Sequence, residues 1–172
     1  MEKLSDRRLN ILSFGCSTGE ECLTLAEYFP SATILGVDTD EGLLTICKQK
    51  NTYPNVSFVI SSSENIKKRG PFDIIFCMSV LCRWGADSNE VTAYSLPKFQ
   101  RIIGELDKFL AKYGLLVIYN SSFRFSDSSI YYKYKVLYDP EIDSGFVTMF
   151  DKDHNIMSRP LYKDCIFIKM IE

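Results

Sequence analysis

Short apolar runs alternate with amphipathic stretches along this chain. The first run, Leu9-Asn-Ile-Leu-Ser-Phe14, leads directly into Gly15-Cys-Ser-Thr-Gly19. Cys22, Leu25, Ala26 and Phe29 then recur at i, i+3, i+4 and i+7, which predicts a helix from Glu20 with one buried stripe, closed by Pro30. Glu20 and Glu21 suit the positive N-terminal end of that helix. A second run, Ala32-Thr-Ile-Leu-Gly-Val37, ends in Asp38-Thr-Asp40 and precedes a helix over 41–50. A third, Val56 to Ile60, ends in three serines, and the polar stretch over 64–71 reads as a short helix or loop. The fourth, Phe72-Asp-Ile-Ile-Phe-Cys77, is followed by a loop near 85–91. Phe99, Ile102, Ile103, Leu106, Phe109 and Leu110 form the clearest helical stripe, with Pro97 in the first turn and Gly114 placed at C′. Leu115 to Tyr119 makes a fifth run.

Beyond residue 120 the periodicity weakens. The stretch over 123–145 is rich in Ser and Tyr and predicts no defined element, whereas 146–150 and 165–171 predict two late strands in an antiparallel pair. The early strands lack clean alternation, as expected when helices cover both faces of a sheet. Five β–α alternations predict an α/β fold of three layers, α/β/α, with right-handed crossovers. Its sheet would have seven mostly parallel strands with an antiparallel last pair, in a single domain spanning 1–172.

Composition narrows the function. The 172 residues carry 20 Lys+Arg against 22 Asp+Glu, a net charge of −2, with 46% apolar residues. That is a folded domain without the basic face that general nucleic-acid binding needs. No apolar run has the length of a membrane span, and the first nine residues are polar and charged, so neither a membrane anchor nor a secretory leader is expected. The six cysteines contain no C-x-x-C pair and sit mostly in apolar runs, which predicts buried thiols in a reducing cytoplasm. With His154 as the single histidine, a metal site or a His-based triad has almost nothing to build with. Asp151, Asp153 and His154 read as a polar hairpin turn.

In an open α/β sheet, ligands bind beyond the carboxyl ends of the strands. Gly15 to Gly19 joins a strand to a helix start, where amides can face an anionic group. Asp38 lies nineteen residues past Gly19, at the end of the second strand, where a carboxylate can accept both hydroxyls of a ribose. Together these predict a ligand with a nucleoside part. The dinucleotide pattern G-x-G-x-x-G is not met, because Ser17 stands at the second glycine and Glu20 follows Gly19. A pyrophosphate there would also face Glu20 and Glu21. S-adenosylmethionine, with an ammonium, a carboxylate, a sulfonium and no phosphate, suits the turn better than a dinucleotide. A dinucleotide oxidoreductase and a non-catalytic nucleoside-binding module stand as competing readings.

Ile11-Leu-Ser-Phe-Gly-Cys-Ser-Thr-Gly-Glu20 resembles motif I of the class I S-adenosylmethionine (SAM)-dependent methyltransferases. Gly15 to Glu21 is especially similar to the chemotaxis-receptor methyltransferases, as is Phe72-Asp-Ile-Ile-Phe-Cys-Met-Ser-Val-Leu81 to the segment after their fourth strand. Gly36-Val-Asp38 is similar to the ribose-binding acid and Gly114 to Ile118 to the fifth strand. About ten residues precede the first strand, so the chain is expected to lack the extra domains of the chemotaxis enzymes. The resemblance implies a Rossmann-like sheet, SAM as cofactor, and a methyl acceptor that is a small molecule or a protein or glycan group. It implies that Gly15, Cys16, Ser17 and Gly19 shape the turn under the methionine portion and that Asp38, with Thr39 beside it, holds the ribose. Ser62 and Ser63 would lie near the adenine, and Cys77 and Met78 near the transferable methyl. Many members carry an acid near the end of strand one. Ser13 holds that place here, and Glu20 is expected to supply the carboxylate for the SAM ammonium. No catalytic base is assigned. Arg83, Trp84, Tyr119, Asn120 and Arg124 are candidates for the acceptor side, with Tyr131, Tyr132 and Tyr134 as a possible lid.

Overall fold

The computed structural model describes residues 8–82, 95–139, 141–157 and 163–171. Strands β1 (Asn10–Phe14), β2 (Thr33–Asp38), β3 (Val56–Ile60), β4 (Phe72–Met78) and β5 (Leu110–Tyr119) alternate with helices α1 (Glu20–Tyr28), α2 (Glu41–Lys50), α3 (Ser63–Lys67) and α4 (Leu96–Phe109). Short strands β6 (Tyr134–Val136) and β7 (Ile166–Lys169) complete a seven-stranded sheet in the order β3-β2-β1-β4-β5-β7-β6. The first five strands pair in parallel, while β7 runs antiparallel to both β5 and β6. This is the α/β/α architecture expected from the sequence.

Neighbouring residues in each inner strand feed opposite cores, which explains the unbroken apolar runs. Ile11, Ile34 and Ile74 pack with Cys22, Leu25 and Leu44 on the side of α1 and α2. Leu12, Leu35 and Ile75 pack with Ile66, Phe99, Ile103 and Leu106 on the side of α3 and α4. Each such apolar side chain contributes about 1.5–3 kcal/mol when fully buried. Helix α2 starts at Asp40, whose Oδ1 accepts the amides of Gly42 (2.7 Å) and Leu43 (3.1 Å), a cap worth about 1 kcal/mol.

Two sequence expectations change. Helix α4 stops at Phe109 instead of running on toward Gly114. Leu110 is already extended and pairs with Phe72, and the strand then bulges through Tyr113 at φ 65°. Gly114 is required inside β5, not at a helix end. A Cβ there would lie 2.8 Å from the Ala111 carbonyl and 3.0 Å from that of Asp73. The second correction concerns the late strands. The segment over 146–150 forms no ladder and holds one bridge, Phe150 to Ile156. The partner of β7 is Tyr134–Val136, from the stretch left without an assignment.

A buried charged cluster explains that choice. Asp107, on the inner face of α4, receives the Tyr134 hydroxyl (2.8 Å) and lies 2.9 Å from Lys133 Nζ and 3.3 Å from Lys169 Nζ. Lys169 also donates to the carbonyls of Asp107 (2.7 Å) and Leu110 (3.1 Å). One carboxylate thus gathers the antiparallel pair β6 and β7 against the end of α4. Burial pushes the Asp107 carboxyl up, but the Lys133 and Tyr134 hydrogen bonds and the Lys169 charge outweigh it, and the net shift is downward.

Asp107→Ala leaves the buried Lys169 ammonium uncompensated and should lower the free energy of urea unfolding at neutral pH by about 3–5 kcal/mol. A loss well under 1 kcal/mol would contradict this (roughly the scale of an exposed pair). Because the native carboxyl titrates below its unfolded value of about 3.9, its contribution is complete above that value and fades as pH falls through the lowered native one. The gap between wild type and variant should therefore narrow in acid. A gap independent of pH would count against the assignment.

Candidate functional site

The strand order reverses between β1 and β4, since the chain passes from β1 outward to β2 and β3 and then returns to the other side of β1. A crevice forms there, beyond the carboxyl ends of the strands. Gly15 to Gly19 occupies its floor. Gly15 and Cys16 both donate their amides to the Val37 carbonyl, at 2.8 and 2.9 Å. Ser17 donates its amide to Asp38 Oδ2 at 2.8 Å, and Gly19 to the Cys16 carbonyl at 2.9 Å. The first three amides hold the turn to the end of β2, and the fourth closes the turn on itself. Gly15 has φ 77°, and a Cβ on it would stand 2.4 Å from Val80 Cγ2. Gly19 has φ 87°, with Cys47 Sγ 3.1 Å from the Cβ position. Both glycines are therefore needed for backbone angle and for close packing together.

Asp38 is half-buried at the tip of β2. Its Oδ2 accepts the Ser17 amide and its Oδ1 the Asp40 amide at 3.1 Å. Each oxygen retains acceptor capacity, which is what two vicinal hydroxyls require. Thr39 is exposed on the turn into α2.

At the end of β3, Ser61, Ser62 and Ser63 line a cleft of about 420 Å³ together with Phe14, Ile66, Ile102, Leu106, Phe109, Arg101 and Glu105. Ser62 Oγ caps α3 by accepting the Asn65 amide at 3.2 Å, and the Ser63 hydroxyl reaches Glu105 Oε2 at 3.3 Å. Cys77 is fully buried beneath the crevice, and burial drives its thiol strongly up, which removes it as a nucleophile. Met78 is half-buried at the last position of β4, opposite Tyr119.

The end of β5 is tied down by Asn120, which is 2% exposed at φ 55°. Its Nδ2 donates to Ser79 Oγ at 2.9 Å, and its Oδ1 accepts the Phe146 amide at 2.8 Å. Asn120 thus anchors the loop over 144–146, a role that its place in the sequence did not disclose. Arg124 makes two bonds to Asp127, at 3.0 and 3.1 Å. Tyr131 and Tyr134 pack on Phe125, and Tyr132 is exposed. Arg83 and Trp84 lie outside the described residues.

The two acids that open α1 diverge. Glu20 is exposed and pairs with Lys50 at 2.9 Å and with the Thr18 hydroxyl. The Thr18 and Lys50 bonds hold its carboxyl down at about 2. Glu21 is half-buried, and burial raises its carboxyl. Sequence reasoning passed over Glu21; its signal was its place beside the buried Cys22 at the start of the helix. Below it, Cys16, Cys22 and Cys47 cluster under the turn, and the neighbouring Cys22 thiol, followed by burial, drives Cys16 far up. Among the described residues no group of three His, Cys, Asp or Glu side chains is disposed to hold a metal, and no helix is long and apolar enough to cross a membrane.

Comparison with known proteins agrees with this geometry. Trans-aconitate 2-methyltransferase of Deinococcus radiodurans is 28% identical over 108 residues, covering 63% of this chain and 36% of the relative. Malonyl-[acyl-carrier protein] O-methyltransferase of Priestia megaterium is 31% identical over 70 residues, 41% of this chain and 26% of the relative. The chain thus spans about a third or less of the length of these curated relatives. Among solved structures, the PH0226 protein from Pyrococcus horikoshii OT3 superposes with a TM-score of 0.53 at 17% identity, covering 68% of this chain and 51% of the other. SAM-bound CalS10, an amino pentose methyltransferase from Micromonospora echinaspora, gives 0.52 at 19% identity over 69% of this chain and 45% of the other. Both likenesses concern the fold. The family described as "Methyltransferase domain" matches residues 5–159, so the chain belongs to that family, within the class I SAM-dependent methyltransferases.

Proposed function

We propose that this chain binds S-adenosylmethionine across the carboxyl ends of β1, β2 and β4 and transfers its methyl group to an acceptor. The observation that carries the reading is the Asp38 carboxylate, fixed by two backbone amides at the tip of β2 with acceptor capacity left on both oxygens. The cleft lined by Phe14, Ser61, Ser62 and Ser63 begins nearby and has apolar walls for an adenine ring. When bound, the cofactor supplies a methyl group activated on a sulfonium.

The chain's own contribution is binding and alignment. Asp38 holds the ribose hydroxyls, with Thr39 beside it. Gly15, Cys16, Ser17 and Gly19 form the floor under the methionine portion. Ser62 and Ser63 border the adenine. Met78 and the backbone at Cys77 line the place of the methyl group, where positioning of the acceptor at near-attack distance is the main catalytic demand. Among these residues no general base is assigned.

The curated relatives are named for methylating trans-aconitate and malonyl-acyl carrier protein. A small molecule or a carrier-bound group is the acceptor class we favour here. All six cysteines are buried free thiols, which supports work in a reducing cytoplasm.

Titration calorimetry with S-adenosylhomocysteine (SAH) and NAD tests the cofactor. SAH should bind and NAD should not, and the reverse preference would sink the proposal. Asp38→Ala should weaken SAH by about tenfold to a hundredfold, as expected when two hydroxyls lose a charged acceptor. Release of labelled methyl from SAM into small-molecule or carrier-protein fractions then distinguishes an enzyme from a binding module.

A further inference from the structure

The sheet ends on one side in an open edge. β6 is the last strand in the order, and among the described residues its outer side pairs with no strand. The Lys133 carbonyl accepts the Met170 amide at 2.8 Å, and Leu137 donates its amide to the Ile166 carbonyl at 2.9 Å. These two residues therefore turn their backbone groups toward β7. Strand alternation turns the N–H and C=O groups of Val136 and Tyr138 the other way, away from the sheet. Tyr138 makes no backbone hydrogen bond among the described residues. Such an edge is a template for another strand.

The side chains along the edge divide by face. Tyr134 and Val136 pack into the core on the α4 side, so Lys135 and Leu137 stand on the opposite face. Leu137 is 41% exposed and Tyr138 65%. Ile166 and Ile168 of β7, beside Leu137 and Lys135, are only half-buried. Lys135 is exposed and has no ion pair among the described residues. Asp139 accepts the Glu141 amide on Oδ1 at 2.9 Å, which leaves Oδ2 for another donor. A cation and an anion thus flank Leu137 at equal spacing, two residues to either side.

We propose that this edge is the seam of a symmetric dimer, in which β6 pairs antiparallel with β6 of a second copy about a two-fold axis at Leu137. In that register Val136 and Tyr138 exchange backbone hydrogen bonds with the partner's Tyr138 and the partner's Val136. Leu137 meets the partner's Leu137, and Lys135 meets the partner's Asp139. The last two contacts fall at non-hydrogen-bonded positions, where opposed side chains approach most closely. Charge complementarity makes the occupant a second copy, because an identical strand reversed about Leu137 sets each cation against an anion. It also selects the register. Moving the axis to Val136 sets Leu137 against the partner's Lys135, and moving it to Tyr138 sets Leu137 against the partner's Asp139. The seam is short, so the association belongs to the transient, concentration-dependent class.

Sedimentation equilibrium of the full chain tests the seam. From about 10 µM to about 1 mM the average mass should rise toward that of two chains. Lys135→Asp places like charges opposite each other at both symmetric positions and should weaken self-association by about tenfold to a hundredfold. Asp139→Lys should do the same with the opposite sign. An equimolar mixture of the two variants restores a cation opposite an anion at both positions, so it should associate within about threefold of wild type. Unchanged far-UV circular dichroism shows that each variant is folded, and association of the mixture shows that each edge is intact. A single-chain mass throughout the range overturns the proposal. A dimer that both single variants leave unchanged overturns it too, as does a mixture that associates no more tightly than either variant alone.

Discussion

The end of β2 holds the crevice together. The Val37 carbonyl takes the amides of Gly15 and Cys16, and the Asp38 carboxylate takes that of Ser17. Three successive donors from the β1–α1 turn thus bond to two adjacent residues of the neighbouring strand. The start of α1, the φ angles of the two turn glycines and the line of the Asp38 side chain are fixed jointly by these bonds.

The rest of the sheet carries this arrangement rigidly. Each inner strand buries residues on both faces, and the register of β1 against β2 and β4 is continuous through Leu12 and Ser13. On one side, Gly36 admits Phe58 and Cys22, since a Cβ there would lie 2.6 Å from Phe58 Cδ1 and 2.8 Å from Cys22 Sγ. Far from the crevice, Asp107 performs a comparable joining role. It gathers Lys133, Tyr134 and Lys169 under α4 and so places the antiparallel edge next to β5. The loop over 144–146 is then drawn across the ends of β4 and β5 by Asn120.

The residues at the crevice divide by what they can do. Buried thiols such as Cys77 and Cys16 are held strongly protonated by burial or by a neighbouring thiol, so they act as filling. Asp38 keeps acceptor capacity on both carboxylate oxygens at the tip of β2. A site built from acceptors and apolar walls, with hardly a titrating base in view, suits a reaction in which the ligand carries the chemistry and the protein aligns it.

Much of this was legible in the residue pattern. Periodicity located β1 to β5 and α1, α2 and α4, because strands buried on both faces and amphipathic helices leave local signatures, whereas the polar stretch that forms α3 read equally as a loop. Turn chemistry located Gly15 to Gly19, and spacing located Asp38. The ends of elements were less legible. Whether α4 continues past Phe109 depends on Phe72 pairing with Leu110, a contact that no local window contains. The choice of Tyr134–Val136 over the 146–150 segment as the edge strand likewise depended on Asp107, twenty-seven residues away from Tyr134. The different surroundings of Glu20 and Glu21 were hidden for the same reason. Composition and spacing specify that two acids begin the helix, but only packing against β1, and the arrival of Lys50 from α2, decides which carboxyl is held in solvent and which is half-buried beside Ser13.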